Sequence, residues 1–302
     1  MDRTAGQHGF CRSPRQAIVA SFCDHHGEEP VISGSRGSGT IFFANCNLRC
    51  VYCQNHQISQ SPDAFAGREL TARSLADAML QLQDGLRCHN VNLVSPSHCV
   101  PQILEALCLA VDFGFRLPLV YNTSAYDSVD VLRLLDGVVD IYLPDLKYSS
   151  AVVAARLSAA ADYVPVARAA IAEMYRQVGA GVFLDDEGAV RRGLIVRHLV
   201  IPGGLAGSGE SLTWLARDVS PHVTLSLMAQ YFPSHKASHM PLLSRRITAQ
   251  EYVDVIGVVQ ELGFDHVLAQ QPGAAAFYRP DFEREKHPFQ PEGPDASNRR
   301  RL

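Results

Sequence analysis

Gly37-Ser-Gly-Thr-Ile-Phe-Phe-Ala-Asn-Cys46-Asn-Leu-Arg-Cys50-Val-Tyr-Cys53 runs from an apolar strand signal directly into three cysteines. Thr40–Ala44 is a short run of β-branched and aromatic residues, the pattern of a strand covered on both faces. Runs of the same kind recur at Val91–Ser95, Leu119–Asn122, Val139–Leu143, Leu194–Ile201 and Val223–Met228, with a weaker seventh at His266–Ala269. Pro118 cannot donate to a ladder, so it marks the start of the third run.

Helical patterns lie between the strands. Thr71 to Leu86 carries Leu75, Met79, Leu82 and Leu86 on one face, and Val100 to Phe113 carries Ile103, Leu104, Leu107 and Val111. Two adjacent patterns fill residues 150–179. From Thr248 to Leu262 a capping box (Thr248, Glu251) precedes the stripe Val255, Ile256, Val259 and Leu262, and Gly263 ends it. Strand then helix, repeated about six times, predicts a parallel α/β fold. A closed eightfold barrel needs eight strands and about 250 residues. Six or seven strands predict a partial (β/α)6 TIM-like barrel over residues 34–270. Residues 1–33 read as an irregular polar extension, and residues 271–302 as a frayed tail rich in Pro and charge, ending Arg299-Arg300-Arg301.

The 302 residues are 47% hydrophobic and 19% charged, which excludes a disordered or fibrous chain. With 27 Lys+Arg against 31 Asp+Glu the net charge is −4, without the basic surplus of a nucleic-acid or anionic-membrane binder. No apolar run reaches the roughly 18 residues of a membrane span, and Met1–Phe10 lacks the apolar core of a signal peptide. A cytoplasmic protein binding neither nucleic acid nor membrane is expected.

In a reducing compartment the eight cysteines, at 11, 23, 46, 50, 53, 88, 99 and 108, should bind metal, react or pack. Cys88 and Cys108 fall in or just after helical patterns and read as buried thiols. Cys46, Cys50 and Cys53 instead crowd into one loop at the carboxyl end of the first strand, where parallel α/β folds place ligands. Structural zinc takes four closed ligands, and a fourth cysteine is missing; catalytic zinc takes three, with His56 as a neighbouring candidate. Thiolates also favour iron–sulfur chemistry, in which three cysteines on a four-iron cluster leave one iron open. Both centres remain possible on spacing alone.

The CxxxCxxC pattern with Tyr52 before its last cysteine resembles the radical S-adenosylmethionine (SAM) superfamily. Gly37–Phe43 ahead of it, Cys53-Gln-Asn-His-Gln-Ile-Ser59 after it and Tyr142-Leu-Pro-Asp-Leu-Lys-Tyr148 extend the likeness, over roughly residues 24–285. Together they resemble the pyruvate formate-lyase activating enzyme-like proteins, specifically the PflX-type branch. This resemblance implies a [4Fe-4S] cluster on Cys46, Cys50 and Cys53 whose open iron is chelated by SAM. Reductive cleavage of SAM would then give a 5′-deoxyadenosyl radical for hydrogen abstraction. It further implies a glycyl-radical enzyme or another peptide as substrate, and a flavodoxin- or ferredoxin-like electron donor. A small metabolite is an alternative substrate, and a zinc-binding interaction protein using the three cysteines and His56 is the alternative class.

Further site candidates lie where strands end. Ser95-Pro-Ser-His98 holds the position of a Gly-Gly-Glu-like motif that the superfamily uses for the SAM amino group, although that motif is absent here. Ser95, Ser97 and His98 therefore bind cofactor or form a polar turn in which Ser97 caps a helix. Asn122 faces the ribose or sits in a turn. Asp145 and Lys147, two apart on one strand face, match the Asp-x-Lys of glycyl-radical activases or form a surface ion pair. Arg197 and His198 are strand neighbours with opposite faces. Arg197 in an apolar strand needs an anion, for which the resemblance offers the SAM carboxylate, and His198 reads as structural.

Gln230 and Tyr231 are expected at the pocket mouth. Gly203–Gly209 offers a mobile lid, and Trp214 packs. Gly34–Thr40 lacks the P-loop Lys and precedes a strand, which excludes a phosphate loop. The stretch from Arg3 to Cys11 resembles the end of the branch's N-terminal cysteine-bearing segment, whose earlier cysteines would lie upstream of Met1. Cys11 is not assigned as a ligand.

Overall fold

The computed structural model describes residues 2–60, 67–271, 280–282, 284 and 287–289. In chain order the elements begin with β1 (Ala17–His25), α1 (Pro30–Ser33), β2 (Ser38–Phe43), α2 (His56–Ser59), β3 (Arg68–Leu70), α3 (Ala72–Leu80), β4 (Val91–Val94) and α4 (Val100–Asp112). They continue with β5 (Leu119–Thr123), α5 (Val129–Leu134), β6 (Ile141–Pro144), α6 (Ala151–Ser158) and α7 (Tyr163–Val178). Then come β7 (Phe183–Leu184), β8 (Val190–Leu199), α8 (Ser208–Trp214), β9 (Thr224–Met228), α9 (Ala249–Glu261) and β10 (Val267–Ala269).

Strands β2, β4, β5, β6, β8, β9 and β10 pair in parallel in that spatial order, at the seven positions read from sequence. The sheet does not close, so the fold is an open partial barrel of α/β type. Register aligns the carboxyl ends: Phe42 stands beside Val94, Val94 beside Asn122 and Asn122 beside Leu143. Strands β2, β4, β5 and β6 therefore deliver their following loops to one rim.

Alternation along these strands separates two packed layers. Leu119, Tyr121, Tyr142, Leu194 and Val196 turn toward the helices in the main core. Val120, Ile141, Leu143 and Ile195 turn to the concave side, where Ile32 of α1 packs on them. Both faces being covered is why these strands read as unbroken apolar runs. The predicted capping box on α9 forms, with Thr248 Oγ1 accepting from Glu251 N and Glu251 Oε2 accepting from Thr248 N.

Three expectations are corrected. Residues 1–33 are not irregular throughout, because β1 pairs antiparallel with β2 on one side and β3 on the other. Its length carries half-buried polar residues such as Ser21 and Asp24, which hid it among polar segments. Next, α4 turns Val100, Ile103, Ala106 and Ala110 inward, a face rotated from the expected stripe, leaving Val111 and Cys108 exposed. The Cys108 thiol is therefore not a core group. Finally, Phe282 is buried against Phe42 (ring centroids 5.2 Å apart), and Phe289 lies over His25 (3.9 Å). The tail thus contributes to the core where it is described, whereas Arg299–Arg301 lie outside the described residues.

Gly39 in β2 has no room for a side chain: a Cβ there would stand 2.9 Å from Asn90 O and 3.0 Å from Leu82 Cβ. Gly39→Ala is expected to cost about 1–3 kcal/mol through overpacking, read as a lowered urea midpoint. An unchanged midpoint would show that this strand relaxes freely.

Candidate active site

A cavity of about 600 Å³ opens at the rim where the parallel strands end. The loop from Cys46 to Cys53 forms one wall, with all three cysteines and Tyr52 lining the space. Ser95 after β4, Asn122 on β5, Asp145 and Lys147 after β6, Arg197 on β8 and Gln230 after β9 line it too. Six residues singled out from sequence at different strand ends therefore meet in one place with the cysteines and Tyr52.

The cysteine loop has no regular structure of its own, and its turns are fixed by bonds. Asn45 takes a left-handed conformation (φ 69°) and donates its N–H to Ile58 O. Arg49 N donates to Ser158 O at 3.0 Å and Val51 N to Leu157 O at 2.8 Å, seating the loop on the last turn of α6. Ala237 N donates to Val51 O, Gln60 Nε2 to Cys50 O and Asn47 Nδ2 to Tyr126 O. The Cys50 sulfur accepts from Ser158 Oγ at 3.0 Å, and Cys53 Sγ lies 3.3 Å from Ser59 Oγ.

Burial first, and the neighbouring Cys50 second, push the Cys46 thiol up to about 12 and Cys53 up to about 11. Such thiols stay neutral until a cation displaces their protons. Among the described residues no three His, Cys, Asp or Glu side chains converge as ligands of one ion. His56 is turned aside: its Nδ1 lies 3.2 Å from Cys53 O and its ring stacks on His235. A cluster asks something different of three thiols, that each face a shared volume and bind a separate iron. The donor set fits that requirement.

Charge in the cavity is paired internally. Lys147 Nζ lies 2.6 Å from Asp145 Oδ2. Burial would lower the Lys147 pKa, but Asp145 and Cys50 outweigh it and hold the ammonium charged. The pair is largely buried, not the surface pair that was the alternative. Arg197 does turn to the concave face, yet its anion comes from within the chain. Its Nε and Nη2 grip Glu29 at 2.7 and 2.6 Å, Nη2 also bonds Glu28, and Nη1 reaches Asn122 Oδ1 at 3.3 Å. The anions that Arg197 meets within the chain are thus Glu28 and Glu29. Glu28 and Glu29 were missed because they lie in the stretch read as irregular, and an acidic pair in a polar run carries no positional signal.

Ser97 and His98 do not line the cavity. Ser97 Oγ lies 3.1 Å from Thr123 Oγ1, which donates to the buried Asp127. Nε2 of the buried His98 lies 2.9 Å from Ala44 O. Ser95 does face the cavity, in a left-handed conformation (φ 58°) that is uncommon outside glycine. His198 points to the helix side, bonded to Leu146 O and Ser208 Oγ at 2.8 Å each. Tyr231 is buried with its hydroxyl on Leu243 O, and lines a smaller pocket of about 150 Å³ beside Tyr52 and Lys147. Gly203–Gly209 is not a lid over the cavity: none of it lines the space, and Gly207, where a Cβ would collide with Ser149, leads into α8. Trp214 is partly buried under the Arg168 guanidinium.

No family model matches the chain. The uncharacterized protein MJ0674 of Methanocaldococcus jannaschii is 28% identical over 266 residues, covering 86% of this chain and 71% of that protein. Among solved structures, HydG, a maturase of the [FeFe]-hydrogenase, is similar at a TM-score of 0.50 and 13% identity, over 76% of this chain and 50% of HydG. The FeFe-hydrogenase maturase HydG from Carboxydothermus hydrogenoformans gives 0.50 and 11%, over 76% and 52%. The chain spans about half the length of these maturases, and the likeness is one of fold.

Two predictions follow from the buried ionisable groups. Arg197→Met leaves Glu28 and Glu29 unpaired in the interior and is expected to cost about 3–5 kcal/mol in urea unfolding. A loss below 1 kcal/mol would mean water already reaches the carboxylates. Burial holds both His98 and His198 at about 4, below the ordinary 6.5. The unfolded chain therefore takes up protons first, and stability falls as pH drops from about 6.5 toward 4, by about 1.4 kcal/mol per pH unit per histidine. His198→Gln should remove one proton from that slope; an unchanged slope would refute the assignment.

Proposed function

We propose that this chain is a radical SAM enzyme. The observation that carries the reading is the juxtaposition of Cys46, Cys50 and Cys53, on one loop at a strand's carboxyl end, with a cavity lined by polar groups from the ends of β4, β5, β6 and β8. The three thiolates would hold a [4Fe-4S] cluster with one iron open to SAM. When bound, that pair supplies an electron for reductive SAM cleavage and a radical for hydrogen abstraction. The chain's own residues orient and shield. Tyr52, within the cysteine loop, forms part of the cavity wall, and Ser95 and Asn122 offer hydroxyl and amide groups to the cofactor's polar atoms. Lys147, held charged by Asp145, offers one cation whose partner is already in place. Leu48, Cys50 and Tyr52, buried in the loop, would shield one side of the reacting centre from water and oxygen.

Within that class, an activase-like role toward a glycyl-radical enzyme or another peptide is the finer reading, with a flavodoxin- or ferredoxin-like donor supplying the electron. Its support is the resemblance of Tyr142–Tyr148 and the placement of Asp145 and Lys147 on the cavity wall. A peptide deuterated at the glycine Cα should pass label into deoxyadenosine; label retained in the peptide while SAM is cleaved would turn the search to other substrates.

The class itself is tested by anaerobic reconstitution, dithionite reduction with SAM and chromatography. About four irons and four sulfides per chain, with 5′-deoxyadenosine formed, is the expected outcome. Cys50→Ala should abolish the deoxyadenosine. Zinc without sulfide, and no cleavage, would replace the proposal with the zinc-binding reading.

A further inference from the structure

Cys50 is distinguished from its two companion cysteines by what stands behind it. Ser158 Oγ, at the end of α6, lies 3.0 Å from Cys50 Sγ; Tyr148 Oη lies 2.7 Å from Ser158 Oγ; and Tyr52 Oη lies 2.6 Å from Tyr148 Oη. All four residues are buried, and Tyr52 at the far end lines both pockets. The chain of hydroxyls therefore runs from the sulfur, through the interior, back to the cavity wall.

Ligation of a cluster by Cys50, as a thiolate, would fix the direction of every bond in this chain. A thiolate has no hydrogen to give, so the Ser158 hydroxyl donates to sulfur. Its oxygen is then the acceptor for the Tyr148 hydroxyl, which in turn accepts from Tyr52. Three O–H dipoles align with their positive ends toward Cys50, each polarising the next. The last turn of α6 gives this arrangement a purpose. Leu157 and Ser158 carbonyls, the negative end of a helix, lie against the cysteine loop through Val51 N and Arg49 N. The aligned hydroxyls offset that unfavourable field at the sulfur itself.

We infer that Ser158, Tyr148 and Tyr52 form a positioning relay that stabilises negative charge on Cys50 and raises the reduction potential of the cluster it holds. The inference rests on the cluster assignment above. Hydrogen bonds to cluster sulfurs favour the reduced, more negative state. None of the three hydroxyls exchanges a proton with substrate in this role.

The experiment compares wild type with Ser158→Ala, Tyr148→Phe and a control, Tyr231→Phe, each reconstituted anaerobically and titrated potentiometrically with electron paramagnetic resonance detection of the reduced cluster. Tyr231 packs on Tyr52 (ring centroids 5.9 Å apart), but its hydroxyl bonds Leu243 O outside the relay. At a fixed ambient potential Ser158→Ala should lower the reduced-to-oxidised ratio on the order of tenfold, about 59 mV for one electron. Tyr148→Phe should shift it in the same direction by less, and Tyr231→Phe should leave it in place. Tyr148→Phe keeps the ring and does not touch sulfur, so it reports even where Ser158→Ala folds poorly. Unchanged potentials in both relay variants, or an equal shift in the control, would overturn the inference. Failure of wild type to assemble a cluster at all would instead remove the assignment on which it stands.

Discussion

A loop of eight residues carrying three thiols has no reason to hold one shape, and here it is held by the end of a helix. The last carbonyls of an α-helix lack intrahelical partners. At the end of α6 those of Leu157 and Ser158 accept from Val51 and Arg49, the residues flanking Cys50. Both sides gain: the helix end is satisfied, and the loop acquires two fixed points on either side of its central cysteine. The helix ends there because Ala159 adopts a left-handed conformation (φ 56°). Any shift of α6 therefore moves Cys50, and with it the wall of the cavity.

The parallel sheet gives this anchoring its value. Register between neighbouring strands brings Phe42, Val94, Asn122 and Leu143 side by side, so each following loop starts at the same height. Groups contributed by β4, β5, β6 and β8 thus reach one cavity without long excursions, and the cysteine loop needs only its local bonds to face them. The concave layer of Val120, Ile141, Leu143 and Ile195 under Ile32 fills the space below, leaving the open volume at the rim.

What could be read from the sequence follows from which interactions leave a periodic trace. Strands covered on both faces must be apolar throughout, and all seven parallel strands were legible for that reason. By contrast β1 is half-buried, with Ser21 and Asp24 on its length, so it looked like polar coil. The cysteines were legible because three in eight residues is a chemical signal independent of fold. Ser158 was not: its importance is a bond to a residue 108 positions away. Glu29 is similarly invisible, meeting Arg197 across 168 positions. The physical demand of Arg197 for an anion was readable, whereas the source of that anion depended on where β1 carries the chain.

That source changes what the cavity can accept. Lys147 is matched by Asp145, and Arg197 by both Glu28 and Glu29, so these five groups carry one more negative than positive charge. A ligand carboxylate entering here finds no unpaired cation among them. The two glutamates are held unequally: Glu29 takes a bidentate grip through Nε and Nη2, while Glu28 takes only a share of Nη2 and also accepts from Asn92 Nδ2 at 2.9 Å. Bidentate pairing is the stronger and more directional of the two. A carboxylate seeking Arg197 therefore competes with Glu28, which retains Asn92 when displaced, and leaves the Glu29 clamp intact. The loop that follows β1 is therefore part of the cavity wall and supplies its excess negative charge.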